Sequence, residues 1–217
     1  MNTFHSAKTM EEELVPPRSK IYTGTGDDGT TSLPNNERCD KTSDIICAMG
    51  DVEELNALMG LAAKSSRQVR CVGNLNEEVG WVANIIESIQ GKLMVIRMEI
   101  ATPISAKTIF ITESDIKNLE RMIDTIDACV PPLSKVILPN GGESSCKYFV
   151  CRAVCRRAER SVFGLVKQGK VSSLVGVYLN RLGDLLHVTA LYMGVFFLDL
   201  GSEWSPDDHL VKSQEAQ

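Results

Sequence analysis

The chain has 217 residues, 43% of them hydrophobic and 24% charged, which suits a single globular domain able to bury a sizeable core. A formal net charge of −5 excludes a generally basic surface for nucleic acid or anionic lipid, so any anion site has to be local. No apolar stretch reaches the length of a membrane span, and a soluble protein is expected.

Residues 1–19, with Pro16-Pro17 and three consecutive acids, read as a flexible arm and fit neither a secretory signal nor an acid-poor transit peptide. Seven cysteines cannot all pair within one chain, and no structural-zinc spacing occurs, so an intracellular, reducing compartment is expected and no metal ligands are assigned. Cys146, Cys151 and Cys155 fall on the apolar side of one helical pattern and read as core packing.

From Lys20 to about Asp44 the chain is rich in Gly, Thr, Asn and Asp with little periodic apolar content, the pattern of a long structured loop. Helical spacing follows. Ile45, Met49, Val52, Leu55, Leu58, Met59 and Ala62 predict a helix over about 44–64, and Val69 through Ile89 a second over about 68–90. Thr112, Glu113 and Asp115 resemble a capped first turn for a third, stopped by Pro131-Pro132. Leu138–Gly142 (LPNGG) is a turn, a fourth helix is expected over about 143–168 with Gly169 as its cap, and a fifth over about 172–197. Five helices without a convincing strand pattern predict an all-α bundle over 20–200, followed by a C-terminal tail over 201–217.

Chemistry concentrates in two places. Arg152, Arg156 and Glu159 share a face of the fourth helix, and Asn180, Asp184 and His187 repeat that spacing on the fifth. Facing one another, the two helices would set arginines against an amide and a carboxylate. Arg157 and Arg160 read equally well as a solvated face with intrahelical pairs, worth about 0.2–0.5 kcal/mol each. Arg152 and Arg156 lie nearer the apolar stripe and are expected to need an anionic partner, protein or ligand. The second place is TGTGDDGTTS, residues 23–32, where Gly24, Gly26 and Gly29 would let backbone N–H groups approach an anion. It is no Walker A loop, and the partial match at Gly164, Gly169 and Lys170 straddles a helix end where a P-loop would need a strand first.

In the order YTGTGDDG, GDVEELNALMG, IATP, ILPNGG, CRAVCRRAER and NRLGDLL, these segments resemble the PduO-type ATP:cob(I)alamin adenosyltransferases from about Lys20 to Met193. The resemblance implies a five-helix bundle behind a nucleotide-binding loop, a homotrimer with active sites between subunits, and transfer of the 5′-deoxyadenosyl group from ATP to reduced cobalamin with Mg²⁺. It implies ATP contacts from Thr23, Gly24, Thr25, Gly26, Thr31, Ser32 and Lys41, and triphosphate binding by Arg156, with Arg157 and Arg160 in the same stretch. Asn180 matches an ATP-binding asparagine, and Asp184 belongs to the same set with Arg152 and Arg156. Arg152 resembles the arginine that pairs with an acid of the next subunit, here Glu53 where Asp is usual. A reductase supplying Co(I) and a cobalamin-dependent mutase receiving the product are the implied partners, in the cytoplasm or, in a eukaryote, the mitochondrial matrix. Three departures stand out. Gly24 and Asp28 occupy positions where lysines are usual, and Val136 stands where a phenylalanine commonly packs beneath the corrin. A binding protein for ATP or cobalamin, acting as carrier or sensor with little turnover, is the rival that these departures favour.

Overall fold

The computed structural model describes residues 20–68, 75–102 and 110–205. A hairpin of β1 (Thr30–Ser32) and β2 (Arg38–Asp40) precedes α1 (Asp44–Gln68), α2 (Leu75–Ala101) and α3 (Glu113–Asp127). Then come β3 (Val136–Ile137), α4 (Glu143–Lys167), α5 (Ser173–Phe196) and β4 (Glu203–Trp204). The expected N-terminal arm over 1–19 lies outside the described residues, as do Val69, Val72 and Pro103.

The five helices form one bundle. The main packing partners are α4 with α5, α1 with α2, α1 with α4, and α3 with α5. Fully buried Leu55 and Met59 of α1, Ile86, Leu93 and Ile96 of α2, Tyr148 of α4, and Tyr178 and Leu179 of α5 fill the centre. Cys151 and Cys155 are buried there as thiols, and burial pushes the pKa of Cys151 up to about 12 and that of Cys155 upward as well. Cys146 is only half-buried, its Sγ over the carbonyls of Pro139 and Gly141.

Helix ends follow local chemistry. Thr112 and Asp115 form a reciprocal capping box on α3, with Thr112 N–H donating to Asp115 Oδ2 at 2.9 Å. Gly169, at φ +67°, ends α4 in a Schellman turn whose Lys170 N–H reaches Leu165 O at 3.0 Å.

Two boundaries differ from the sequence expectation. α2 does not stop near Gln90; it continues eleven residues to Ala101. Val82, Ile86, Ile89, Leu93, Ile96 and Ile100 form one unbroken buried stripe, and that burial outweighs the cost of about 1 kcal/mol for Gly91 within the helix. The segment expected as a tail also begins as structure. Val136 pairs with Trp204 and Ile137 with Glu203, and Leu138 N–H donates to Ser202 O at 2.9 Å. Asn140 clamps the pair, its Oδ1 accepting from Ser202 N at 2.8 Å.

Candidate active site

The Gly/Thr loop folds on itself. Gly24 and Gly29 take φ values of +71° and +84°, which side chains disfavour. Gly26 is needed for another reason: a Cβ there would stand 3.0 Å from Thr30 O and 3.1 Å from Lys41 Nζ. Lys41 reaches back from beyond β2, and its ammonium donates to Gly26 O at 2.6 Å. Thr23 and Thr25 share a hydroxyl hydrogen bond of 2.9 Å, while Thr31 and Ser32 lie on β1.

Arg38 is a loop residue that sequence reasoning missed. On β2, opposite Ser32, it donates to Thr25 O at 2.7 Å and to Ser32 Oγ at 3.2 Å, and it pairs with Asp28 at 3.4 Å. Side-chain and backbone hydrogen bonds from Thr30, with a smaller contribution from Arg38, hold the exposed Asp28 carboxyl below its usual pKa. The only available signal was strand register, which places Arg38 across from Ser32. With Lys41 it supplies cations to a loop whose own sequence has none at positions 24 and 28.

α4 and α5 meet as the spacing predicted. Asn180 Nδ2 donates to Glu159 Oε1 at 3.0 Å, and Cys155 Sγ lies 3.2 Å from Leu179 O. Arg156 lies over Gly183, whose absent Cβ would come within 3.9 Å of Arg156 Cγ. Asn180 is engaged on both sides, since its Oδ1 also accepts from Arg181 Nη1 at 3.1 Å. Arg181 binds Glu120 of α3 at 3.0 Å and Asp184 at 3.3 Å, joining three helices at this edge.

The arginines divide by their partners. Arg157 turns to α1, where Nε meets Asp51 at 3.0 Å and Nη2 meets Glu54, and Asp51 also accepts from Ser161 at 2.6 Å. Arg157 is therefore neutralised within the chain, but by pairs across to α1 and not by the intrahelical pairs expected of α4. Arg156 and Arg160 are exposed and Arg152 is half-buried. This corrects the expectation of buried arginines: α1 and α5 cover the Cys151, Cys155 and Ala158 stripe and leave Arg152 and Arg156 on its rim. Glu53 pairs within the chain with Arg97 of α2 at 2.9 Å, its side chain still 64% exposed.

Among the described residues, the loop's hydrogen bonds named above end within residues 23–41, and those of the arginine wall end on α1, α3 and α5. Beside the wall, Val136, 61% exposed, lines a cleft of about 380 Å³ with Leu133, Ile137, His187 and Leu191. Among the described residues no helix is long and apolar enough to cross a membrane.

Among the described residues, a five-helix bundle thus carries a glycine-rich loop held by Arg38 and Lys41 and two exposed arginines, Arg156 and Arg160, without an ion pair. Residues 21–193 match the family model for cobalamin adenosyltransferase, and the chain belongs to that family. It is 37% identical over 179 residues to the corrinoid adenosyltransferase MMAB of Mus musculus, covering 80% of this chain and 72% of that protein. A corrinoid adenosyltransferase of Mycobacterium leprae is 34% identical over 179 residues, covering 78% of this chain and 88% of the other. Among solved structures, a phenylalanine-to-alanine variant of the PduO-type ATP:corrinoid adenosyltransferase from Lactobacillus reuteri, complexed with cobalamin and ATP, superposes with a TM-score of 0.74 at 28% identity. That match covers 85% of this chain and 99% of the other.

Proposed function

We propose that this chain transfers the 5′-deoxyadenosyl group of ATP to the cobalt of reduced cobalamin, releasing inorganic triphosphate, and works as a homotrimer. The observation that carries this reading is Arg156, which stands exposed over Gly183 without an anionic partner among the described residues, in a chain of this family. Co(I) carries the attacking electron pair to C5′ of the ribose. The C5′–O bond breaks, its electrons leave with triphosphate, and cobalt becomes Co(III) bound to carbon. No protein nucleophile is required, so the protein's task is in-line positioning and neutralisation of the leaving group.

Arg156, with Arg160, supports the triphosphate, and Thr23, Gly24, Thr25, Gly26, Thr31, Ser32, Lys41 and Arg38 form the nucleotide loop. Mg²⁺ enters with ATP, held chiefly by phosphate oxygens. The site is completed between subunits, with Glu53 of one subunit, already held by Arg97, meeting Arg152 of the next. Asn180 and Asp184 set the α5 side, and Val136 faces the corrin. The unit carrying the activity is the bundle over residues 20–200.

The test mixes protein, ATP, Mg²⁺ and chemically reduced cobalamin and follows the corrin spectrum. A cobalt–carbon band that grows over many turnovers is expected. Tight binding of ATP and corrinoid without that band would establish the carrier or sensor that Val136 and Gly24 favour.

A further inference from the structure

Glu53 of α1 and Arg97 of α2 form a clasp between the two helices. Arg97 Nη2 meets Glu53 Oε2 at 2.9 Å, and the arginine side chain is only 24% exposed, so its guanidinium depends on that carboxylate. Its Nη1 rests on Met94 Sδ at 3.9 Å, and Met94 and Met98, both exposed, flank it along α2. The register that brings the pair together is fixed one turn further along α1. There Gln90 Nε2 donates to Asn56 O at 2.9 Å, and Asn56 Nδ2 to Gln90 O at 3.4 Å. Gly60 leaves room for the Gln90 amide, since a Cβ at that position would stand 3.1 Å from Nε2.

The clasp uses one of the two carboxylate oxygens. Glu53 Oε1 has no partner among the described residues, and its side chain is largely exposed, so acceptor positions remain open. On α4, Arg152 is half-buried without an ion pair among the described residues, beside exposed Val150 and Ala153. Its charge is felt at His187, whose pKa is lowered by burial first and by Arg152 second, so Arg152 stands next to the cleft that Val136 lines. An open carboxylate oxygen and a guanidinium without an acid are complementary in charge, and the two methionines match the Val150 and Ala153 surface in polarity.

We propose, resting on the trimer reading above, that Arg97 is a positioning residue: it holds Glu53 through Oε2 and presents Oε1 to Arg152 of the next subunit. This accounts for a glutamate at a position where an aspartate is usual. An aspartate carboxylate is aimed by its own backbone. A glutamate reaches one methylene further and has one more torsion to fix, which costs side-chain entropy unless a second contact holds it. The Arg97 clasp is that contact. Arg97 touches no substrate in this arrangement; it acts on Arg152 through Glu53, and so on the corrinoid side of the site.

The test uses the full chain and reads two quantities: the concentration at which the trimer half-dissociates in sedimentation, and the KM for chemically reduced cobalamin at saturating ATP. Arg97→Met keeps most of the side chain's bulk without its charge. It should raise both quantities about tenfold on its own, but less than about twofold when Arg152→Met is already present. The KM for ATP should stay within about twofold of wild type, and Arg97→Lys should recover most of the loss. Glu53→Asp should be the weaker protein while Arg97 is present and the stronger one once Arg97→Met removes the clasp. Thermal melts verify folding, and if Arg97→Met does not fold, Arg97→Gln takes its place in the same comparison. An equal effect at position 97 with and without Arg152 overturns the proposal, because Arg97 would then only tie α1 to α2. So does a Glu53→Asp effect of the same sign and size in both backgrounds. A wild type that is monomeric at micromolar concentration removes the trimer reading itself and this proposal with it.

Discussion

Asn180 of α5 donates to Glu159 of α4 at 3.0 Å, and this bond marks the register in which the rest of the wall is assembled. One turn further along α5, Gly183 lies beneath Arg156, and one turn beyond that, His187 comes within the field of Arg152. The same register leaves Arg157 on the opposite flank, against α1.

Arg156→Ala is expected to lower turnover by about 10²–10³-fold, the usual loss for one preorganised group aimed at developing negative charge. Folding stability should hold, because the side chain is exposed and has no ion-pair partner among the described residues to lose. Rates with chemically reduced cobalamin at saturating ATP, together with a urea melt, check both halves. A near-normal rate would remove Arg156 from the triphosphate site.

Arg157→Ala should do the reverse. Its pairs with Asp51 and Glu54 join α4 to α1, but its side chain is 43% exposed, so solvent screening limits the loss to about 1 kcal/mol. ATP affinity measured by calorimetry should stay near wild type. A large loss of affinity with an unchanged urea midpoint would move Arg157 into the nucleotide site.

Gly141→Ala should destabilise the β3–β4 corner. A Cβ at Gly141 would stand 2.3 Å from Asp199 O and 2.7 Å from Gly201 N, both backbone atoms that have little room to yield. A cost of about 1–3 kcal/mol is expected, as for other overpacked sites. Because this corner carries Val136, corrinoid affinity should fall while ATP binding persists. Loss of both ligands to the same degree would show that the corner supports the whole bundle.

Stability should also depend on pH through His187. Its folded pKa lies below the unfolded value of 6.5, so above that pH both states hold it neutral and nothing is lost. As pH falls below 6.5 the unfolded chain takes up the proton first, and stability declines until the folded pKa is passed. Denaturant midpoints measured from pH 7.5 to 5 should show this slope in wild type and a shallower one in His187→Phe. Identical slopes would mean that His187 is not held neutral in the folded protein.

Much of this protein is legible in one dimension. The 3.6-residue apolar repeat located all five helices, because each buries a stripe against the others. Thr112 with Asp115, and Gly169, marked ends through backbone hydrogen bonds that local residues satisfy or fail to satisfy. The spacing of Arg152, Arg156 and Glu159 against Asn180, Asp184 and His187 was enough to anticipate two facing walls. The expected end of α2 near Gln90 stops at Ile89, although Leu93, Ile96 and Ile100 continue the same buried stripe. The pairing of β3 with β4 could not be read, since two-residue strands carry no period and their partners lie more than 60 residues apart.

What the tertiary structure alone decided is which charges are neutralised. Four arginines in nine positions look alike in sequence, yet Arg157 meets Asp51 and Glu54 of a helix about 100 residues earlier, while Arg156 meets no acid among the described residues. Arg38 and Lys41 likewise became loop cations only when β2 folded back on the glycines. Helical and strand periods assign a side chain to a face, but its electrostatic partner depends on the register between elements. That register is set by the packing of the whole bundle.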